Sequence, residues 1–277
     1  MSIREVSTGR WNVGKGTNAD VNMIANINLE TGEIRLVSVF RDSYLNINDK
    51  NSYNKINAAY AQGGPEQAVK ALNKNLGLNI TQYATFNWKA VADAINILGG
   101  VDVELSDAEF SWINAFITET VKETGIGSHQ LTHAGNVHLD GIQAVAYGRI
   151  RYSDTDYART ERQRLFFRKP LIRLKNADWA TLNCLIQTIM PQLATNVDIT
   201  DLIPLARNIA KFHIGETAGF PAARGEQDVG KIGDCVIPQT LEYNVKELHK
   251  FLFDEEDYQV PSNVKEYSSH IAQVTGL

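Results

Sequence analysis

The chain has 277 residues, 43% of them hydrophobic, so it can bury a core without disulfides or structural metals. Its net charge of −5 disfavours nucleic acid as a general partner. No segment of the printed sequence has the roughly 18 consecutive apolar residues of a membrane-spanning helix, and the polar N-terminus contains no signal-peptide core.

The first third of the chain predicts a hairpin and then a helix. Apolar residues occupy every second position of segment 21–28, which predicts a half-buried strand. A turn at residues 29–32 joins it to a second predicted strand at 33–40. Segment 65–77 begins with proline, carries an apolar stripe at helical spacing and stops at Gly77, as amphipathic helices do.

Farther along, the predicted elements alternate before helices dominate. Segment 83–88 predicts a strand, a helix follows it, and 101–105 predicts the returning strand. We expect loops at 125–138 and between residues 211 and 243. The remaining helices are predicted at 106–124, 140–150, 157–175, 178–193, 198–211, 243–253 and 262–274. Alternating strands and helices predict an α/β fold, and without repeats or linkers we expect a single domain over residues 1–277.

The two cysteines do not decide the redox compartment. Cys184 lies in an apolar stretch of a predicted helix, which favours a buried, inert thiol. A disulfide with Cys235 is an open alternative, because sequence alone does not fix disulfide connectivity.

The strongest local anomaly is a basic segment. Residues 149–175 contain nine basic and three acidic residues, and seven of the thirteen arginines lie there. Arginine is favoured where a planar donor fork grips phosphate oxygens. The grouped positions are Arg149 with Arg151 and, on the next predicted helix, Arg159 with Arg162 and Gln163. The alternatives are a solvated basic face and a nucleic-acid surface, which the acidic remainder of the chain disfavours.

Two smaller features also suggest an anionic ligand. Arg41 and Asp42 follow an apolar strand, and ligands of open α/β sheets favour the carboxyl ends of strands. Lys55 and Asn57 open a predicted short helix, whose N-terminus favours phosphate. By itself, each pattern is also typical of an ordinary structural contact.

Together these segments resemble the LytR-CpsA-Psr family from residue 13 onward. The motifs that recur there in this order are VSVFRDSYLNI, YNKINAAYAQGGPEQAVKALNKNLGLNI, LGGVDVEL, LDGIQAVAYGRIRY and DYARTERQR. The resemblance implies a three-layer α/β/α sandwich with a central mixed β-sheet. It also implies a polyprenyl pyrophosphate glycolipid bound in an apolar groove, and transfer of its glycan to a peptidoglycan hydroxyl with help from magnesium.

The resemblance also assigns residues. The implied pyrophosphate and head-group ligands are Arg41, Lys55, Arg149, Arg151, Arg159 and Gln163, to which we add Asn57 as a substrate-binding residue. The residues expected to act in catalysis are Asp20, Arg41 and Arg149, and Asp20 is also the expected magnesium ligand. Residues expected to orient the arginines or to act structurally are Asp42, Asp156 and Arg162.

The sequence departs from the family's pattern at the metal site. Where the family has Arg-Ser-Asp, this chain has Asn18-Ala19-Asp20, and Ser7 aligns with a second expected aspartate. Magnesium usually needs one or two carboxylates besides phosphates and waters. We therefore expect weak magnesium binding.

Two functions follow from the resemblance. The first is a phosphotransferase that attaches teichoic acid or a capsular glycopolymer to peptidoglycan. The second is a non-catalytic polyprenyl-phosphate binder with the same pocket. The expected partners are the glycolipid, the peptidoglycan acceptor and the membrane, which we expect the protein to reach through an N-terminal anchor that this chain lacks. We expect it at the extracytoplasmic face of the bacterial cell membrane, without nucleic acid.

Overall fold

The computed structural model describes residues 2–5, 18–150, 162 and 170–277. Their contacts group them into two compact units. Within the described ranges, unit 1 contains residues up to 85 and from 195 onward, and unit 2 contains residues 86–194. The expectation of a single domain over residues 1–277 stays a prediction.

Strands and helices both contribute to the described chain. The strands are β1 (Ser2–Glu5), β2 (Asn22–Ile27), β3 (Glu33–Val39), β4 (Tyr44–Asn46), β5 (Tyr53–Lys55), β6 (Ala84–Thr85), β7 (Val101–Leu105), β8 (Gly135–Leu139), β9 (Ala194–Thr195), β10 (His213–Phe220), β11 (Arg224–Asp228) and β12 (Asp234–Pro238). The α-helices are α1 (Asn57–Leu76), α2 (Trp88–Ile97), α3 (Asp107–Thr124), α4 (Gly141–Arg149), α5 (Trp179–Ile189), α6 (Ile199–Asn208), α7 (Leu241–Phe253) and α8 (Ser262–Thr275). None of these helices is long and apolar enough to cross a bilayer.

The largest sheet is mixed, which confirms the predicted α/β class. Its strand order is β10-β3-β2-β1-β6-β9. β10 is parallel to β3 and β1 is parallel to β6, whereas β2 is antiparallel to both β1 and β3. Three two-stranded sheets pair β4 with β5, β7 with β8, and β11 with β12. The three-layer sandwich stays a prediction.

The predicted hairpin is confirmed, but its first strand is not half-buried. β2 and β3 pair antiparallel around the turn at Gly32. Met23 and Ile27 are buried on one face, as alternation predicts. Asn22 and Ile24 on the opposite face are buried too, at 2% and 1% exposure. The sheet is therefore covered on both sides at β2. An asparagine that alternates with apolar residues, such as Asn22, does not mark a solvent-facing side of this strand.

Unit 1 has a core between the sheet and three helices. Its members include Val37 from β3, Leu72 from α1, Val245 from α7 and Ile271 from α8, all almost fully buried. α1 is interrupted at Gly63 and Gly64, so its second half starts at Pro65, as predicted. The first half of α1 directly follows β5, and this short connection sets the position of Lys55.

Unit 2 has its own core, which α2, β7, α3 and α4 share. The predicted strand at 101–105 and the helices at 106–124 and 140–150 are confirmed. The predicted loop at 125–138 is wrong at its C-terminal end, because residues 135–139 form β8 and pair antiparallel with β7. Only one of the five residues of β8 is fully buried, so its sequence carries little apolar signal.

The predicted loop between residues 211 and 243 is also wrong. It contains β10, which joins the main sheet beside β3, and the β11–β12 hairpin. β10 has the sequence HIGETAGF and lies at the edge of the sheet, where small and polar residues are tolerated. β11 is exposed at every second residue and contains no large apolar side chain. Neither strand therefore has the apolar alternation that predicts β-structure.

The burial of one of the two thiols also differs from the prediction. Cys184 is exposed, so the predicted burial is wrong, and Cys235 is buried. Both are free thiols, and no disulfide joins them.

We predict that Leu72→Ala lowers the free energy of unfolding by about 2–5 kcal/mol, because it leaves a cavity in a fully buried site. Urea denaturation followed by circular dichroism measures this change. The control is Leu29→Ala at the hairpin turn, where the side chain is 38% exposed and the loss should be within about 0.5 kcal/mol. Equal losses in the two variants would contradict the assignment of the core.

Candidate functional site

Strand register brings Asp20 and Arg41 together. The β2–β3 hairpin pairs Asn22 with Val39, and the same register extended by two residues places Asp20 opposite Arg41. Nη1 of Arg41 donates a hydrogen bond to Oδ1 of Asp20 at 2.6 Å. Opposite charges that face each other across an antiparallel pair stabilise it. The contact therefore lies just beyond the open end of the hairpin, two residues past the last register pair.

Asp42 and Lys55 complete a strand-end cluster, which we define as Asp20, Arg41, Asp42 and Lys55. Oδ1 of Asp42 lies 3.5 Å from Nε of Arg41 and 3.7 Å from Nζ of Lys55. All four side chains are half-buried, with exposures from 19% to 30%. The Nε–H of Arg41 is buried and makes no hydrogen bond within the described part of the chain. A buried donor of this kind is rare and can serve a ligand oxygen.

Backbone hydrogen bonds hold the strand-end cluster in place. The carbonyl of Arg41 accepts from the N–H of Asn57 at 3.1 Å, and that of Asp42 accepts from Val236 at 3.0 Å. The carbonyl of Asn57 accepts from Ala19 at 3.4 Å. Asn57 itself is 2% exposed, and its backbone N–H and carbonyl join it to the strand-end cluster. Its predicted role as a substrate ligand stays a prediction.

The strand-end cluster contains two cations and two carboxylates, so it has no net charge. Binding a pyrophosphate there requires either further cations or the exchange of a carboxylate for a phosphate oxygen. Cys235 lies in the same surroundings, and sequence reasoning did not place it there. Burial raises the pKa of its thiol to about 11, and the charge of Asp42 adds to the increase while Lys55 opposes it. At neutral pH the thiol is therefore protonated and a poor nucleophile.

The side chains of the strand-end cluster determine which metal ion this site can hold. Within the described ranges, no three His, Cys, Asp or Glu side chains converge as a metal cluster. Asp20 and Asp42 provide two carboxylates on either side of Arg41. Magnesium is commonly held by one or two carboxylates together with substrate phosphates. The residues present therefore fit a magnesium ion that binds with a phosphate-bearing ligand.

In unit 2, Arg149 is held by an acidic helix. Its Nη1 lies 2.8 Å from Oε2 of Glu123 and donates to Oγ1 of Thr120 at 2.9 Å. Its Nη2 donates to Oε1 of Glu123 at 2.9 Å, and the guanidinium lies over the ring of Trp88. Glu119 is 3.9 Å away. Glu123 thus engages both terminal nitrogens of Arg149 in a bidentate pair, the geometry that a phosphate would otherwise use.

Arg149 and its partner Glu123 differ in their access to water. The side chain of Arg149 is 16% exposed, whereas that of Glu123 is 49% exposed. Glu123 can therefore leave for solvent while Arg149 stays in place. Sequence reasoning missed Glu123, although its spacing of four from Glu119 on a predicted helix marks an acidic face that a neighbouring arginine can meet.

Arg162 is a predicted residue with a buried side chain, at 3% exposure. It donates to Oε1 of Glu109 at 3.1 Å and to the carbonyl of Ile150 at 3.0 Å, and it lies over the ring of Tyr147. Glu109 also closes the capping box at the start of α3. The predicted structural role of Arg162 stays a prediction, and these are the contacts through which it would act.

The remaining predicted residues lie outside the described part of the chain. They are Ser7, Arg151, Asp156, Arg159 and Gln163. Their assignments stay predictions.

Comparison with known proteins gives a consistent result over most of the chain. The LytR_cpsA_psr family model matches residues 7–219. A curated relative, the polyisoprenyl-teichoic acid–peptidoglycan teichoic acid transferase TagU of Bacillus mycoides, is 31% identical over 195 residues, or 69% of this chain and 58% of the relative. The chain spans about half the length of the curated relatives it matches.

Solved structures share the fold. Protein gbs0355 from Streptococcus agalactiae superposes with a TM-score of 0.77 at 22% identity, over 95% of this chain and 90% of that chain. TagV from B. subtilis superposes with a TM-score of 0.71 at 22% identity, over 94% of this chain and 98% of that chain.

We predict that Glu123→Gln raises the affinity for inorganic pyrophosphate by about threefold to tenfold, because it removes the carboxylate that occupies the fork of Arg149. Isothermal titration measures the affinity. The control is Glu104→Gln on β7, an exposed glutamate of the same unit, which reports the effect of net charge alone. An equal gain in both variants, or a loss in Glu123→Gln, would show that Glu123 does not compete with phosphate.

Proposed function

The chain belongs to the LytR_cpsA_psr family, and we propose that it transfers a polyprenyl-pyrophosphate-linked glycopolymer, of the teichoic acid or capsular type, to peptidoglycan. The proposed location is the extracytoplasmic face of the bacterial cell membrane, within the cell envelope. The proposal is supported by the curated relatives, which are named as teichoic acid transferases. The observation that carries the proposal is the half-buried strand-end cluster, in which an arginine with an unfilled donor lies between two carboxylates.

The proposed reaction is a phosphoryl transfer. A hydroxyl of peptidoglycan attacks the phosphorus that bears the glycan and loses its proton. The bond from that phosphorus to the bridging oxygen breaks, and polyprenyl phosphate leaves with the electron pair. A new phosphodiester then joins glycan and peptidoglycan. In such transfers, catalysis is mainly positioning and stabilisation of charge on the phosphate oxygens.

The proposed roles of the chain's own residues follow from this chemistry. Arg41 and Lys55 stabilise charge on the phosphate oxygens from a partly desolvated position. Arg149 is proposed as a pyrophosphate ligand by resemblance, and within unit 2 its guanidinium becomes available when Glu123 leaves it. Asp20 orients Arg41 and either positions magnesium or accepts the proton of the incoming hydroxyl. Arg151, Arg159 and Gln163 are proposed as further pyrophosphate ligands, by resemblance alone.

Magnesium is the proposed cofactor. The ion would neutralise phosphate charge, and Asp20 is its proposed protein ligand. Because Arg41 already binds Asp20 at 2.6 Å, the affinity for magnesium without a phosphate ligand should be weak. The sequence departures at Ser7 and Asn18 agree with a weak site.

A non-catalytic polyprenyl-phosphate binder is the second candidate. It is favoured by the same departures, because Asn18 stands where the family has arginine and Ser7 where it has an acid. Both candidate functions use the same arginines to bind the lipid pyrophosphate. They differ in whether the protein then catalyses transfer of the glycopolymer.

We predict slow transfer by the unmodified protein and faster transfer by the double variant Ser7→Asp with Asn18→Arg, because the variant restores the acid and the base of the family's motif. The assay follows release of polyprenyl phosphate from a labelled lipid-linked oligosaccharide with peptidoglycan as acceptor. Magnesium affinity without lipid, measured by calorimetry, should increase in parallel.

The outcomes separate the two candidates. Full turnover and tight magnesium binding in the unmodified protein would show that the alignment of Ser7 is wrong. No turnover in either version, with glycolipid still bound, would overturn the transferase in favour of the binder.

A further inference from the structure

A buried amide without a hydrogen-bond partner lies beside the strand-end cluster. It belongs to Asn22 on β2, a residue that is 2% exposed. Its Nδ2 is buried and donates no hydrogen bond to any atom of the described ranges. An unpaired buried N–H loses its hydration without compensation, which destabilises the fold. Such a group in a native protein therefore calls for a physical reason.

A second buried asparagine of unit 1, Asn75, shows the contrasting case of a structural amide. Its Nδ2 donates to the carbonyls of Asn46 and Ala71 at 2.6 and 2.7 Å. Its Oδ1 accepts from the N–H of Asn46 at 3.0 Å. Asn75 therefore stabilises the fold through hydrogen bonds that Nδ2 of Asn22 does not make.

The neighbours of Asn22 on its own face of the sheet are apolar. Val39 lies opposite it on β3, and Ile24 is the next residue of β2 on the same face, and both are buried. An apolar side chain at position 22 would match them. A residue that breaks the local pattern without a gain in stability is expected at a functional site.

Strand register places Asn22 next to a second unpaired donor. Asn22 follows Asp20 by two residues, and its partner Val39 precedes Arg41 by two. Side chains two residues apart on a strand share a face, and the two residues span about 7 Å. The buried Nε–H of Arg41 also makes no hydrogen bond within the described ranges. Two unpaired donors therefore lie at the open end of one hairpin.

A phosphate group matches this pair of donors. Asp20 and Arg41 keep 30% and 19% of their side chains exposed, so a ligand can approach the open end of the hairpin. The guanidinium of Arg41 favours an anion with planar acceptor geometry. A phosphate group offers three acceptor oxygens, so one group can accept from both residues.

We propose that Nδ2 of Asn22 donates a hydrogen bond to a phosphate oxygen of the ligand that binds at Arg41. The inference rests on the proposed function, because it takes the strand-end cluster as the pyrophosphate site. Asn22 is then a further substrate-binding residue. It also contributes to specificity, since a ligand without an acceptor at this point leaves the buried N–H unpaired.

The test combines thermal unfolding with calorimetric titration by inorganic pyrophosphate and by geranyl pyrophosphate. Asn22→Leu replaces the amide by an apolar side chain of similar length. It should raise the Tm of the free protein by about 2–4 °C, because it removes a buried unpaired donor. It should also weaken the binding of both ligands about tenfold. Asn22→Ala, which cannot overfill the site, should weaken binding by a similar factor.

Two matched controls separate stability from binding. Asn75→Leu removes the paired amide, so it should lower the Tm and leave the affinity of the folded protein unchanged. Thr85→Val removes a hydroxyl that is buried and unpaired within the described ranges. Because β6 lies three strand spacings from β3, about 14 Å, Thr85 is beyond the reach of a pyrophosphate at Arg41. This variant should raise the Tm without changing the affinity.

The outcomes distinguish this proposal from the proposed function. Unchanged affinity in the folded Asn22 variants, with weaker binding by Arg41→Ala, would overturn the role of Asn22 and leave the proposed function standing. Unchanged affinity in Arg41→Ala as well, or no binding by the wild type, would overturn both. An equal loss in Thr85→Val would show a general effect of the sheet edge and would count against Asn22. A loss confined to geranyl pyrophosphate would place Asn22 against the prenyl chain and overturn the phosphate contact.

Discussion

The contact between Arg41 and Asp20 is the interaction on which the candidate site of unit 1 depends. It joins the two open ends of the β2–β3 hairpin at 2.6 Å. From the same strand end, the backbone carbonyls of Arg41 and Asp42 accept hydrogen bonds from α1 and β12. A shift in the hairpin register by one residue would move both side chains to the opposite face of the sheet, and it would also break these connections. The position of Lys55 relative to Asp42 therefore depends on the same register.

In each unit, the arginine is already paired with carboxylates. Arg41 lies between Asp20 and Asp42, and Arg149 is gripped by Glu123. A half-buried guanidinium without a counter-ion would be costly, since desolvation of a lone charge is strongly unfavourable. Binding of a phosphate is then an exchange of one anion for another, so its net free energy is smaller than the sum of the new contacts. The exposed Glu123 is the easier of these partners to displace, because water can solvate it once it leaves.

Local sequence patterns predicted the elements whose residues alternate in polarity or end in clear stop signals. The hairpin of β2 and β3, helix α2 with strand β7, and helices α4 and α7 are confirmed. β8 and β10 were missed because short or edge strands contain few large apolar residues. The resemblance named Asp20 and Arg41, but their contact appears only once the register is known, since 21 residues separate them. The pairing of Arg149 with Glu123 depends on how α3 packs against α4, which no local pattern encodes.

The most direct test is calorimetric titration with geranyl pyrophosphate of the wild type, Arg41→Ala and the matched control Arg35→Ala. Arg35 lies on the same strand and pairs with Glu33 and Asp254, away from the strand-end cluster. Loss of a charge-assisted phosphate contact should weaken the binding of Arg41→Ala by about 1.5–3 kcal/mol, or roughly tenfold to a hundredfold. Arg35→Ala should bind as the wild type does. Unchanged affinity in a folded Arg41→Ala variant would show that the strand-end cluster is a structural ion pair and does not bind pyrophosphate.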